Sequence, residues 1–84
     1  MSGLRVEWAR RALKELARLD ARTQARIVTA VEALADHRGD VRRLRGTGDE
    51  TLRLRVGDWR VIFSYQDSAI LILRIRARGA AYKP

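Results

Sequence analysis

Cysteine is absent from this 84-residue chain, which excludes disulfides, thiolate metal sites and thiol catalysis. No stretch approaches the roughly 20 consecutive apolar residues of a membrane span, and the N-terminus lacks the apolar run of a signal peptide. A soluble cytoplasmic protein without a membrane partner is therefore expected. Acidic residues are scarce, 10 against 18 basic ones, and they are scattered. Within the C-terminal strand-like segments only Asp58 and Asp67 occur, both in turn positions, so no carboxylate cluster is available for magnesium. Zinc-ligand spacing is missing as well. Gly46, Gly48 and Gly57 are not part of a phosphate-binding loop with a following lysine and read as turn formers. No metal and no cofactor is expected. The single histidine, His37, falls at the end of a helix far in sequence from the basic segments and reads as a solvated helix-end residue.

What is present is a periodic, globular sequence. Hydrophobic residues make up 46% of the chain, and the length fits one domain, residues 1–84, near the lower limit for a self-supporting core. The formal net charge is +8, which favours polyanionic partners such as nucleic acid or an acidic protein segment. That charge is uneven. Residues 1–50 hold 11 basic and 8 acidic side chains, whereas residues 51–84 hold 7 and 2.

The stretch LRVEW, residues 4–8, alternates apolar and charged side chains as a half-buried strand does. From Ala9 the period becomes helical, with Ala12, Leu13, Leu16 and Leu19 on one side, and this helix is expected to run to about Leu19. Asp20 is placed to cap a second helix whose apolar stripe is Ile27, Val28, Val31, Leu34 and Ala35, with Gly39 marking its end. The short connection makes the two helices an antiparallel hairpin. Residues 40–50, DVRRLRGTGDE, show no sustained period and read as a loop. Three strand-like runs follow, 51–56, 59–66 and 69–76, joined by Gly57-Asp58 and by a turn around Gln66-Asp67-Ser68. The fold class is thus α+β: an N-terminal strand, an antiparallel helix hairpin, and a three-stranded antiparallel meander packed on the helices.

Strand parity sorts the meander into two faces. Leu52, Leu54 and Val56, then Val61, Phe63 and Tyr65, then Leu71, Leu73 and Ile75 are expected to cover the helices. The other face receives Arg53, Arg55, Arg60, Arg74 and Arg76, with Ile62, Ser64, Ile70 and Ile72 between them. Arginines on adjacent strands repel one another, so this face is destabilising unless an anion or an acidic partner occupies it. Trp8 reads as core, and Trp59, beside the turn, as packing.

The order of elements, together with RLRVGDWRVIF at residues 53–63, RRLRG at 42–46 and RARGAAY at 76–82, resembles the RelE/ParE superfamily of type II toxin–antitoxin toxins. The resemblance covers nearly the whole chain. In the RelE branch it implies a ribosome-dependent endoribonuclease that cuts messenger RNA by attack of a ribose 2′-hydroxyl on the adjacent phosphate, with basic side chains in place of a metal. In the ParE branch it implies a DNA gyrase inhibitor without nuclease chemistry, and an inactive relative is a further alternative. Both branches imply a cognate antitoxin, here expected to dock an acidic segment on the arginine face.

In the RelE-like reading, which the sequence favours, catalysis falls to Arg60, Arg78 and Tyr82. Arg60 opens the central strand on the basic face and matches the family's arginine there; a guanidinium fork binds two phosphate oxygens at once. Arg78 precedes Tyr82 by four residues as in many relatives, although Arg76 shares the basic face and is an alternative for that role. Arg53 and Arg55 flank the site, and with Arg45, Arg76 and Lys83 they form the expected RNA-binding set. Where the RelE branch often carries lysines this chain has Arg53 and Arg55, and an arginine is a poor proton acceptor. Tyr82 is the better base, because surrounding cations lower a phenol's pKa. Its ring can also stack on a nucleotide base.

Overall fold

The computed structural model describes residues 4–43 and 51–80. The N-terminal alternation forms β1 (Arg5–Trp8), in which Val6 and Trp8 pack against the core while Arg5 and Glu7 point away and pair at 2.8 Å. The chain turns directly into α1 (Arg10–Ala17), with the Ala9 amide donating to the Ile72 carbonyl at 2.8 Å. This helix is shorter than its apolar period suggests. It applies a narrow stripe, Ala12 and Leu16, four residues apart, to its neighbours, and Leu13, one residue further round, is 49% exposed rather than part of the core.

The second helix, α2 (Ala21–Ala35), starts where Asp20 Oδ1 accepts the Thr23 amide at 2.9 Å. Gln24 Nε2 then donates to the carbonyls of both Leu16 and Leu19, each at 3.0 Å, which ties the end of the first helix to the start of the second. The helix does not end on Gly39. His37 takes the left-handed conformation (φ 63°), its amide bonding to the Leu34 carbonyl and that of Arg38 to the Ala33 carbonyl. These two bonds form a Schellman cap with histidine in the position that glycine usually fills.

The sheet contains β1, β2 (Asp40–Arg43), β3 (Thr51–Val56), β4 (Trp59–Gln66) and β5 (Ala69–Ala77), in the order β1-β5-β4-β3-β2. Its pairs are antiparallel except β1 with β5, which is parallel. The α+β class with a helix hairpin and a meander holds, and two details differ. Residues 40–43, expected in a loop, form an edge strand on β3. Three of these four residues are charged, and Val41 alone reaches the core, so pairing with β3 rather than an apolar pattern makes them a strand. A charged strand is also a suitable edge, since it resists further pairing.

The second difference lies in β5. Ile62 pairs with Arg74 but Phe63 pairs with Ile72, so Leu73 is an extra residue, a β-bulge. Ile70 and Ile72, expected outside, are fully buried in the core with Ile75, while Leu71 and Leu73, expected inside, are only half-buried. Tyr65 keeps its core-facing parity opposite Ile70 and stacks edge-on against Phe63 at 5.5 Å, yet near the strand end it is 40% exposed. The core is built from Ile27, Val31 and Leu34 of α2 against Leu54, Val61 and Phe63 of the sheet. Trp8 and Trp59 are both partly buried against it. In the β3–β4 turn Gly57 has φ 58°, a left-handed conformation that favours glycine, and a side chain there would have to displace the Arg26 guanidinium of α2, 2.9 Å away.

Candidate nucleic-acid interface

The face of the sheet turned away from the helices is ordered in rows across the strands. Asp40, Arg55, Arg60 and Arg76 are successive cross-strand partners on β2, β3, β4 and β5. The next row is Arg42, Arg53, Ile62 and Arg74. All five arginines expected on one face are there. With strands about 4.8 Å apart, the backbone positions of Arg55, Arg60 and Arg76 lie within a span of about 10 Å. Ile62 is only 2% exposed although it belongs to this face. It stands between Arg53 and Arg74, whose aliphatic stems can cover an apolar neighbour while their heads stay in water.

The bulge delivers two members of these rows. Ile72 faces the core, so strict alternation would send Arg74 and Arg76 there too. The extra residue Leu73 returns both to the outer face, opposite Ile62 and Arg60. Charge on this face is balanced selectively. Arg74 donates through Nε and Nη2 to the Glu15 carboxylate of α1, the shortest contact being 2.8 Å, and the Ile75 amide donates to the same carboxylate at 2.8 Å. Burial alone would raise the Glu15 pKa, but these hydrogen bonds and the charges of Arg74 and Arg76 outweigh it and hold the carboxyl below its ordinary value. Arg76 is less well served. Its Nη1 lies 3.9 Å from Glu15, and its buried Nε has no hydrogen-bond partner.

Arg60 Nη1 donates to the carbonyls of Gly57 and Trp59 at 2.8 and 2.9 Å, which folds its half-buried side chain back over the hairpin turn and fixes the guanidinium at the head of β4. Arg53 is half-buried and Arg55 exposed. Arg78 follows β5, with its amide donating to the Asp58 carbonyl at 2.7 Å and its exposed guanidinium 4.0 Å from the Asp58 carboxylate. Arg60 and Arg76 are thus direct neighbours, and Arg78 stands one step beyond them beside an acid. Arg45, Tyr82 and Lys83 lie outside the described residues. His37 caps α2 and is exposed. Among the described residues no group of three His, Asp or Glu side chains converges as metal ligands would, and no helix is long and apolar enough to cross a membrane. Nothing in the sequence marks Glu15 as part of this face, because its partners lie 59 and 60 positions away.

Residues 6–82 match the family described as ParE toxin of type II toxin-antitoxin system, parDE. The chain therefore belongs to the RelE/ParE superfamily of toxins of type II toxin–antitoxin systems. Among solved structures it is similar to a chain of the archaeal RelE–RelB complex of Pyrococcus horikoshii OT3, with 32% identity over 94% of this chain and 99% of that one and a TM-score of 0.74. It is also similar to a chain of the toxin–antitoxin complex RelBE2 of Mycobacterium tuberculosis, with 25% identity over 95% and 97% of the two chains and a TM-score of 0.81. A chain of the intact RelBE complex of E. coli, 21% identical over 93% and 99% with a TM-score of 0.63, shares the fold. No curated protein sequence matches the chain.

Proposed function

We propose that this toxin is a cytoplasmic, ribosome-dependent messenger RNA endoribonuclease whose single domain, residues 1–84, works without a metal. The row Arg55–Arg60–Arg76 carries the reading. Attack of a 2′-hydroxyl on the neighbouring phosphate places extra negative charge on a pentacovalent phosphorus, and fixed cations pointing at that charge are the largest aid a protein can give. Arg60, held by two backbone carbonyls, is pre-positioned for the scissile phosphate, and the side chain of Arg76 beside it is 32% exposed. Arg78 lies further along the same strand line and Tyr82 is assigned the proton transfer. Arg53, Arg55, Arg45 and Lys83 hold the RNA backbone through charge. The likeness to RelE structures supports the same reading.

A cognate antitoxin is the natural protein partner, since the similar structures are toxin–antitoxin complexes. An acidic segment across the arginine rows would neutralise the site and remove its internal repulsion. One observation favours a second reading, gyrase inhibition: the matching family is named for ParE, and neither lysine nor histidine stands among the described residues of the outer sheet face.

Programmed ribosomes carrying a defined messenger separate the two. Purified toxin is expected to produce new 5′ ends at the decoding site by primer extension, and an Arg60→Ala, Tyr82→Phe double mutant is expected to produce none. An uncut messenger together with inhibited supercoiling by purified gyrase would replace the nuclease by the second reading.

A further inference from the structure

β1 covers β5 only from Ala69 to Ile72, so among the described residues the stretch bearing Arg74 and Arg76 has no strand on that side. The edge amide of Ile75 is taken instead by the Glu15 carboxylate, which also grips Arg74. A bulged strand is vulnerable to slippage, and a slip of one residue would turn Arg74 and Arg76 towards the core and Ile75 out of it. The two bonds of Glu15 oppose that slip together. They require Ile75 to present its amide and Arg74 its guanidinium to the same carboxylate, which the present register alone allows.

We propose that Glu15 is a positioning residue for the arginine row: it pins the bulged end of β5 so that Arg76 stands beside Arg60 with donors open to an anion. The carboxylate is spent on Arg74 and on the backbone, and the 3.9 Å approach to Arg76 Nη1 is beyond hydrogen-bond range. Arg74, 16% exposed, is thereby the structural member of the face, and Arg76, twice as exposed at 32% and without a hydrogen bond from Glu15, is the member kept for the ligand. No neighbour on α1 can replace Glu15, because the other charged side chains of that helix are Arg10, Arg11 and Lys14. The inference rests on the arginine row being an anion site, and it adds the element that aims it.

Inorganic phosphate is the probe, titrated into the full chain while the side-chain Nε–H resonances of the arginines are followed by NMR. The wild type is expected to bind phosphate with a dependence on Arg76, so that Arg76→Ala weakens binding. If Arg76→Ala binds as well as the wild type, the arginine row is not the anion site and both readings fall. With that dependence in hand, Glu15→Gln is expected to weaken binding about threefold to tenfold, the worth of one ordinary hydrogen bond, and to have no further effect in the Arg76→Ala background. Loss of a nearby negative charge alone would tighten phosphate binding, so a folded Glu15→Gln variant with unchanged or tighter affinity overturns the positioning role while leaving the anion site intact. Should Glu15→Gln fail to fold, Glu15→Asp, which keeps the charge on a shorter arm, is read by the same criterion.

Discussion

The two faces of β4 obey opposite rules. On one, Val61 and Phe63 are completely buried and meet aliphatic partners on both sides. On the other, Arg60 lies between Arg55 and Arg76, three cations in a row, with Asp40 as their cross-strand neighbour at one edge and Glu15 3.9 Å from Arg76 at the other. The first face lowers the free energy of folding by removing apolar surface from water. The second does nothing of the kind, and like charges on neighbouring strands work against the fold. A domain of 84 residues has little stability to lose, so a face that opposes folding is kept for what it binds. Glu15 joins the two regimes: it belongs to a core-packed helix, yet it neutralises one arginine of the outer face.

Substitution on the buried face should have the largest effect on stability. Phe63→Ala removes a fully buried ring from the centre of the core and is expected to cost about 3–5 kcal/mol, enough to leave most of the population unfolded in a thermal or urea melt. At the junction, Glu15→Gln breaks the pair with Arg74, whose side chains are 20% and 16% exposed, and is expected to cost about 2 kcal/mol. The sign of its pH dependence follows from the lowered pKa. A carboxyl depressed in the folded state stabilises the protein above the ordinary Glu range and loses that contribution as pH falls through its folded-state value. The melting temperature of the wild type should therefore fall towards that of Glu15→Gln on acidification, and curves that stay parallel would mean the pair contributes nothing.

How far the comparison could be read from sequence depends on whether the residue types differ between parities. In β3 and β4 they do: Leu52, Leu54 and Val56 alternate with Arg53 and Arg55, and the faces follow at once. In β5 the run Ala69-Ile-Leu-Ile-Leu is apolar at both parities, so nothing in it marks the extra residue at Leu73, and parity points to Leu71 and Leu73 where the core takes Ile70 and Ile72. The alternation of Arg74 and Arg76 with Ile75 lies beyond the irregularity, so parity still assigns both arginines to the outer face. The strand at Asp40–Arg43 carries too little apolar character to be seen without its partner. Glu15 was invisible for a related reason: on a helix rich in arginine it looks like a solvated acid, and only the fold brings β5 to it.

His37 tests the helical layer behind the core with a smaller effect. A non-glycine residue at φ 63° carries backbone strain, so His37→Gly is expected to stabilise the protein by about 1 kcal/mol in a chemical melt. The arginine row should not notice, and phosphate binding is expected to be unchanged.

The smallest stability effect belongs to the residue with the most at stake functionally. Arg76→Met keeps a stem of similar length over the sheet and removes one cation from a row of three, together with a buried donor that has no partner. Among the described residues the only ion pair lost is the 3.9 Å approach to Glu15. These contributions nearly offset, so the change in unfolding free energy should fall within about 0.5 kcal/mol. A gain is the expected sign, because the repulsion from Arg60 and the unsatisfied Nε both disappear. Anion binding and any cleavage on the ribosome should drop in the same variant. Adding phosphate sharpens the contrast: binding to the folded state alone must raise the wild-type melting temperature more than that of Arg76→Met. A loss of several kcal/mol in Arg76→Met would place this arginine with Phe63 among the residues that hold the fold, and the division between the two faces would have to be redrawn through β5.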